Sequence, residues 1–490
     1  MNMSWRQRIA AIVFGFLLAI LVGCSSNTQP GVTVTPASPI ITPVSSPDPM
    51  HPAAFPGSEG FGADTAGGRG GNVLEVVNLN DTGPGSLRSA IEESGPRIVV
   101  FRVAGTISLR SSLSIDNPYL TIAGQTSPGG GVTLRGDYIG DKALIQIKTH
   151  DVIIRFLTIR AGPPSAGDGI EVLASDAHET RNIVIDHNSI SWAVNRNLAT
   201  WYDVHDLSIQ WNIFSEGLDC SIHAKGCHSK GVLLGGYASD EEKAQSGAYN
   251  ISLHHNLMAH NGERNPYIKA AGIVDVVNNV VYNPFGTFSH IDMESQLASD
   301  LVNYRSNYFK PGPDTEVKYG IRAINPGSFG AEIFVQGNIG PQREDDNLPD
   351  INIVDPDSRM YVVAQPFPTK PITTTPALQA YGQVLDDAGA SRGLNCDGKF
   401  LPRRDAIDSR IVNEVRTGLG KIIDDPSEVG GPLVIEPATP CMDTDHDGMP
   451  DNWETLYGFD CKDPSDAAQD FNGNGYTNIE EYLNGSDPLQ

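Results

Sequence analysis

A six-residue unit, apolar-x-apolar-x-x-Asn, recurs through the middle of this chain and limits what it can fold into more than any other feature. It reads Ile183-Val-Ile185-Asp-His-Asn188, Leu207-Ser-Ile209-Gln-Trp-Asn212 and Ile251-Ser-Leu253-His-His-Asn256. It continues as Val274-Asp-Val276-Val-Asn-Asn279, Val302-Asn-Tyr304-Arg-Ser-Asn307 and Ile333-Phe-Val335-Gln-Gly-Asn338. Apolar residues at period two mark a strand with one buried face, and an Asn at a fixed offset marks a turn reached again and again. The Asn residues lie 24, 44, 23, 28 and 31 residues apart, and the apolar run Gly231 to Gly236 falls inside the longest interval. That spacing is one coil of a parallel β-helix, whose stacked coils bury the apolar faces and let the Asn amides bond from coil to coil. A propeller blade needs four strands and a sandwich needs hairpins, and the unit supplies neither.

The segments around the repeat complete this reading. Residues 85–94 (GSLRSAIEES) form a short helix that closes the first coil, followed by a strand from Arg97 to Val103. Residues 340–435 lack the unit, are rich in Pro and Asp, and carry one helical stretch near Asp405 to Arg416. They are expected to pack along the solenoid as irregular structure. Arg6, Arg8, the apolar run Ile9 to Leu21 and the ending Leu21-Val-Gly-Cys24 read as a bacterial export signal over 1–24, of lipoprotein type, too short to span a bilayer. An ordinary secretion signal is the alternative. Residues 25–54, dominated by Pro, Ser and Thr, form an extended tether, so the body stands off a cell-surface or periplasm-facing membrane, joined to it only by lipid. Export also favours disulfides, and Cys220–Cys227 and Cys441–Cys461 are the local pairs, leaving Cys396 single. The net charge of -25 excludes broad attraction to nucleic acid.

Several longer motifs then occur in order: AFPGSEGFGADTAGGRGG, NLNDTGPGSLRSAI, LTIAGQTSPGGGVTLRG, IVIDHNSISW, HSKGVLLGG, ISLHHN and RNPYIK. Together they resemble the pectate lyases of polysaccharide lyase family 1 over most of residues 54–425. The resemblance implies an all-β fold, a right-handed single-stranded parallel β-helix over 55–435, acting as a monomer on polygalacturonate or pectin by β-elimination. Such chemistry removes the proton at C5, alpha to the uronate carboxylate, while the glycosidic oxygen leaves C4; it needs a base at C5 and cations on the carboxylate. The family's base is the first Arg of an R-x-P-x-x-R motif, which falls on Arg264. Its second Arg is replaced by Lys269, which keeps the charge but not the bidentate fork. Lys230 matches the family's other substrate-binding residue. Neutralising a guanidinium near pH 7.5 costs about 7 kcal/mol, so burial and cationic neighbours would have to lower the pKa of Arg264.

Family members that use a catalytic calcium hold it with carboxylates at two places. Here the first keeps only Asp168, and the second reads Asn195-Arg196-Asn197-Leu-Ala199, with Asn195 and Ala199 where acids are expected. Asp168 with Asn195 makes a poor calcium site. Either substrate carboxylates complete it, or Arg196 binds the uronate in its place, as an Arg does in pectin lyases. The lost carboxylates also leave room for a non-catalytic glycan-binding surface protein. A galacturonan hydrolase would need paired acids on the repeated strands, and none is found.

Residues 436–490 differ from the rest, with thirteen acids against one Lys. Asp443, Asp445, Asp447, Asp451 and Glu454, and again Asp470, Asn472, Asn474, Asn478 and Glu481, sit at the ligand positions of two twelve-residue calcium loops, with Gly448 and Gly475 at the sharp turn. The segment is similar to thrombospondin type 3-like calcium modules, which implies structural Ca2+ far from the elimination site. A dockerin, with a cohesin partner, is the rival.

Overall fold

The computed structural model describes residues 52–137, 139–174, 179–236, 247–294, 299–326 and 330–490. The expected signal, with Cys24, and the tether up to residue 51 lie outside these residues. No helix among the described residues is long and apolar enough to cross a membrane.

Each coil holds three strands, of which the Asn unit marks the first. The coil containing Asn188 runs Thr180–Asp186, Ser189–Ser191 and Leu198–Trp201 before the next begins at Val204–Gln210. Equivalent strands of successive coils pair in parallel, giving one ten-stranded and two eight-stranded sheets. Register follows the repeat, with Ile183 opposite Leu207, Leu207 opposite Ile251 and Ile251 opposite Val274. A parallel partner above and below satisfies both edges of every inner strand, while the inward side chains stack into a single core from Val76 to Val354. This is the all-β solenoid expected from the repeat.

The six Asn side chains occupy the turn between the first and second sheets and form a buried ladder. Each Nδ2 donates to the Oδ1 of the next: Asn188 to Asn212 at 3.1 Å, Asn212 to Asn256 at 3.0 Å, Asn256 to Asn279 at 3.0 Å, Asn279 to Asn307 at 3.0 Å and Asn307 to Asn338 at 2.9 Å. The same Oδ1 atoms accept a main-chain N–H from the previous coil, as from Asn212 to Asn256 at 2.8 Å. Each amide therefore closes the backbone groups of a turn that has no water to satisfy them.

Two additions lie outside the repeat. The helix Leu87–Glu92, capped by Ser86, closes the first coils as expected. Alongside the second sheet run two helices, Ala377–Asp387 and Ala406–Thr417, the latter capped by Asp405. Val384, Leu385, Ile407, Ile411 and Val415 from them pack on Ile213, Leu257 and Val280. The second helix lies at the expected place. The first falls in a stretch expected to be irregular, since Gly382 interrupts it and only Pro376 precedes it; its burial against the sheet supplies what its local sequence lacks.

Residues 436–490 do not hang free. Met449, Trp453, Ile479, Tyr482 and Leu483 cover Ile98, Val100 and Ala123 on the outer face of the first sheet. Arg69 pairs with Glu480 at 2.9 Å, and Arg102 reaches Asp443 at 3.4 Å and the carbonyl of Cys441 at 2.6 Å. The cysteine pairing departs from expectation in one bond. Cys220 and Cys227 are joined, but Cys441 bonds Cys396, with Cα atoms 5.4 Å apart, and Cys461 is free. Proximity in sequence misled here, because the antiparallel pair Arg392–Leu394 and Phe400–Pro402 brings Cys396 to the start of the C-terminal segment.

Breaking the ladder tests its role. Asn256→Leu keeps the branched shape but removes the bonds that Nδ2 donates to the carbonyls of Ile209 and His254 and to Asn279 Oδ1, and those that Oδ1 accepts from the N–H and the side-chain amide of Asn212. Unfolding in denaturant should show a loss on the order of 3 kcal/mol; a loss under about 1 kcal/mol would mean the ladder is not what holds the coils in register.

Candidate active site

The residues singled out for chemistry collect where successive coils turn into the third sheet. Asp168 precedes Ile170–Leu173, Arg196 precedes Leu198–Trp201, Lys230 precedes Val232–Gly236 and Arg264 precedes Tyr267–Ile268. Ile170 pairs with Leu198, Leu198 with Val232 and Lys230 with Glu263, so the four positions stack coil upon coil. The stacking sets them roughly 4.8 Å apart along the solenoid.

A second, shorter amide chain holds this turn. Asn197 Nδ2 donates to Asn261 Oδ1 at 3.0 Å, and Asn261 Nδ2 to Asn265 Oδ1 at 3.1 Å. The main chain of Arg264 lies between these supports, in the left-handed region with φ 64. A non-glycine residue there costs on the order of 1–3 kcal/mol, which the surrounding bonds must offset. Val232 N donates to Arg264 O at 2.6 Å, and Asn265 N to Phe288 O at 3.1 Å. Gly231 permits the close approach, since a Cβ there would stand 2.5 Å from Asn265 Oδ1.

A cleft of about 310 Å³ opens over this turn, lined by Asn195, Arg196, Trp201, Lys225, Arg264 and Lys269 among others. Among the described residues four cations and no carboxylate line it, which gives a strongly acidic protein a locally basic groove. Arg196 is buried, with its guanidinium 5.0 Å above the Trp201 ring. Arg264 lies over Tyr267 at 5.0 Å, and the phenol of Tyr267 donates to Asp292. Lys269 pairs with Glu294 at 3.0 Å and Asp292 at 3.8 Å. Lys230 stands in the coil between those of Arg196 and Arg264 but does not line the cleft; its Nζ is bound to Glu263 at 2.5 Å. Burial lowers the pKa of Arg264, and the neighbouring Arg196 lowers it further, against the smaller opposing pull of Tyr267, Glu263 and Asp168.

The position expected to hold a catalytic calcium does not suit one. Asp168 Oδ1 accepts from Arg196 N at 2.8 Å and Nε at 3.0 Å, and Oδ2 lies 3.0 Å from the same guanidinium. Asn195 contributes a neutral amide, and Ala199 is buried in its strand. A lone carboxylate already occupied by Arg196 does not supply the several anionic oxygens that Ca2+ takes. Burial pushes the Asp168 carboxyl up to about 7, Arg196 draws it down and Glu171 pushes it up again.

The C-terminal loops differ from each other. Asp443, Asp445 and Asp447 converge, and Asp447 meets Glu454 and also Asp466, which lies outside the loop pattern. Both oxygens of Asp445 and Glu454, and one each of Asp447 and Asp466, are buried without a hydrogen-bond partner. Burial and mutual repulsion push the carboxyls of Asp447 and Glu454 up to about 8. Asp451 is turned to Thr444, accepting from its N–H and hydroxyl at 2.7 Å each. In the second loop, Asp470 accepts from the N–H groups of Gly473 and Gly475 at 2.8 Å, Asn478 holds the carbonyl of Asp466, and Glu481 accepts from Asn474 at 2.8 Å and Asn472 at 3.4 Å. Its acids do not gather into a cluster like that of the first loop.

Sequence reasoning missed Trp201, Tyr267, Lys225, His223 and His228 in the cleft. Tyr267 lay inside the RNPYIK run and His228 opens the HSKGVLLGG run; the other three carry no motif of their own and reach the site through register and a disulfide.

The family model described as pectate lyase matches residues 53–322. "Probable pectate lyase C" of Aspergillus fumigatus is 32% identical over 438 residues, covering 88% of this chain and 93% of its own. "Probable pectate lyase C" of Neosartorya fischeri is 33% identical over 439 residues, with the same coverage. Pectate lyase II of Xanthomonas campestris aligns with 68% of this chain and 98% of its own, at 18% identity and a TM-score of 0.43. A family match over more than half the chain, and relatives of 32–33% identity that cover 88% of it, lead to one conclusion: this protein belongs to the pectate lyase family.

Proposed function

We propose that the chain cleaves polygalacturonate by β-elimination with Arg264 as the base, and that the elimination does not need a calcium ion at Asp168. The observation that carries this reading is the basic cleft itself, in which the half-buried guanidinium of Arg264 beside that of Arg196 stands among cations, with no acid among the described lining residues. Arg264 takes the C5 proton, the C5–H electron pair becomes the C4–C5 double bond, and the C4–O bond breaks, its oxygen protonated from solvent. Arg196 and Lys269 bind the uronate carboxylate and stabilise the charge that develops at C5 and its carboxyl group. Lys230 supports them from behind, through its pair with Glu263. Export is supported by the opening residues, while the lipoprotein anchor rests on the Leu21-to-Cys24 ending alone.

Calcium has a different place in this reading. Asp443, Asp445, Asp447, Glu454 and Asp466 would hold an ion that neutralises buried, unpartnered carboxylates, and it would fasten the C-terminal segment to the first coils. A dockerin role is less well supported, because the apolar face of the segment is spent on Ile98, Val100 and Ala123.

The formation of unsaturated, ultraviolet-absorbing product from polygalacturonate tests the activity. Arg264→Ala should lower kcat by about 10²–10⁴-fold with melting temperature unchanged; undiminished turnover would remove Arg264 from the reaction. The rise of kcat with pH reports loss of the Arg264 proton. Replacing the neighbouring pair together, as Asp168→Asn with Arg196→Gln, removes the nearest like charge without stranding a buried carboxylate. The dominant effect is to raise the pKa of Arg264, so the rising limb should move to higher pH at saturating substrate; a shift to lower pH would contradict the assignment. Chelator should lower the melting temperature of the full chain, with recovery on adding Ca2+. The variant Asp447→Asn with Glu454→Gln should melt at the same temperature with or without chelator, and a chelator response equal to that of the parent would exclude this site.

A further inference from the structure

One wall of the cleft is a small loop unlike the rest of the solenoid. Cys220 and Cys227 close it covalently, and its base is fastened twice more. Asp219 O accepts from His228 N at 3.0 Å, and Asp219 Oδ1 from Ser229 N at 3.2 Å. Asp219 N and Cys220 N in turn donate to Ile423 O and Asp424 Oδ1, each at 2.9 Å, tying the loop to the segment beyond the helix Ala406–Thr417. A loop of this length, exposed over most of its residues, has little core of its own, so the cross-link is what fixes its conformation.

What the loop presents is chemically specific. The rings of His223 and His228 are stacked 4.0 Å apart and only 3° from parallel. Both line the cleft, as does Lys225, alongside Arg196, Arg264 and Lys269. Burial lowers the pKa of both imidazoles, followed by Lys225 for His223 and by His223 for His228, which falls to about 3. At neutral or alkaline pH the pair is uncharged. His223 Nδ1 accepts the N–H of Lys225 at 3.2 Å, which assigns the ring proton to Nε2 as a donor. Lys225 is exposed and carries no ion pair among the described residues.

We infer that the Cys220–Cys227 loop is a second substrate wall, in which His223 and His228 hydrogen-bond the hydroxyls of the uronate unit next to the reacting one and Lys225 pairs with its carboxylate. This wall rests on the lyase reading of the cleft and on the chemistry of the polymer. A polyuronate brings one carboxylate with every sugar. The reacting unit's carboxylate has Arg196 and Lys269, so among the described residues of the cleft Lys225 is the cation left for a neighbour. Neutral imidazoles add donors, acceptors and a flat face for the sugar ring without adding charge. These are binding residues, and the disulfide is a positioning device.

The test uses the full chain, trigalacturonate as the probe and two readouts, calorimetric affinity and steady-state kinetics on polygalacturonate. His223→Ala with His228→Ala, and separately Lys225→Ala, should each weaken trigalacturonate binding about tenfold, with the kinetic loss mainly in KM. Cys220→Ser with Cys227→Ser should give a similar loss of affinity, since the loop then keeps only the hydrogen bonds at its base. Melting temperatures within a few degrees of the parent show that the variants are folded. Unchanged Kd and KM in folded variants of an active enzyme would overturn the wall and leave the lyase reading standing. A parent that forms no unsaturated product but binds trigalacturonate more tightly than the loop variants would overturn the lyase reading and uphold the wall. Failure of the parent to bind trigalacturonate would overturn the wall, and failure to form unsaturated product as well would overturn both.

Discussion

The fold depends on how a parallel solenoid satisfies the backbone at its corners. Strands bond up and down to their neighbours without difficulty, but a turn repeated at the same place in every coil stacks polar groups where water is excluded. The ladder Asn188–Asn212–Asn256–Asn279–Asn307–Asn338 resolves this, each amide donating forward and accepting from behind. Because every rung is both donor and acceptor, register is transmitted from one coil to the next, and the third sheet inherits it.

That inheritance is what makes the site. Residues as far apart in sequence as Asp168 and Arg264 come into one column because each precedes a third-sheet strand in its own coil. The shorter chain of Asn197, Asn261 and Asn265 then stiffens the turn on which the reaction is proposed to run. Cations brought this close repel one another. The structure offsets the repulsion with acids set back from the cleft: Asp168 for Arg196, Glu263 for Lys230, and Asp292 and Glu294 for Lys269. Arg264 has no such close acid among the described residues; a face of Tyr267 lies beneath it, and burial and the neighbouring Arg196 lower its pKa.

The C-terminal segment follows the same logic of shielding a sheet. The first coils expose Ile98, Val100 and Ala123 on their outer face, and Trp453, Ile479 and Tyr482 cover them. A small acidic segment gains a core by borrowing one from the solenoid, and the disulfide from Cys441 to Cys396 ties it to the chain that lies beside it.

Much of this was legible in the residues alone. The period of two with an Asn at a fixed offset determined a stacked-coil fold, since no other arrangement places one strand and one buried amide at each repeat. The spacing of Asp443 to Glu454 marked a candidate calcium loop through residue types at fixed distances, and the run holding Arg264 marked a candidate base through its resemblance to the lyase motif. Other features were decided only by the tertiary structure: the partner of Cys441, the capture of Asp168 by Arg196, the arrival of Asp466 beside Glu454, and the entry of Trp201, His223 and His228 into the cleft. The physical reason is the same for each. They depend on which coil lies above which and how loops of unequal length between the Asn turns lean on their neighbours, and a contact of that kind leaves no pattern along a single chain.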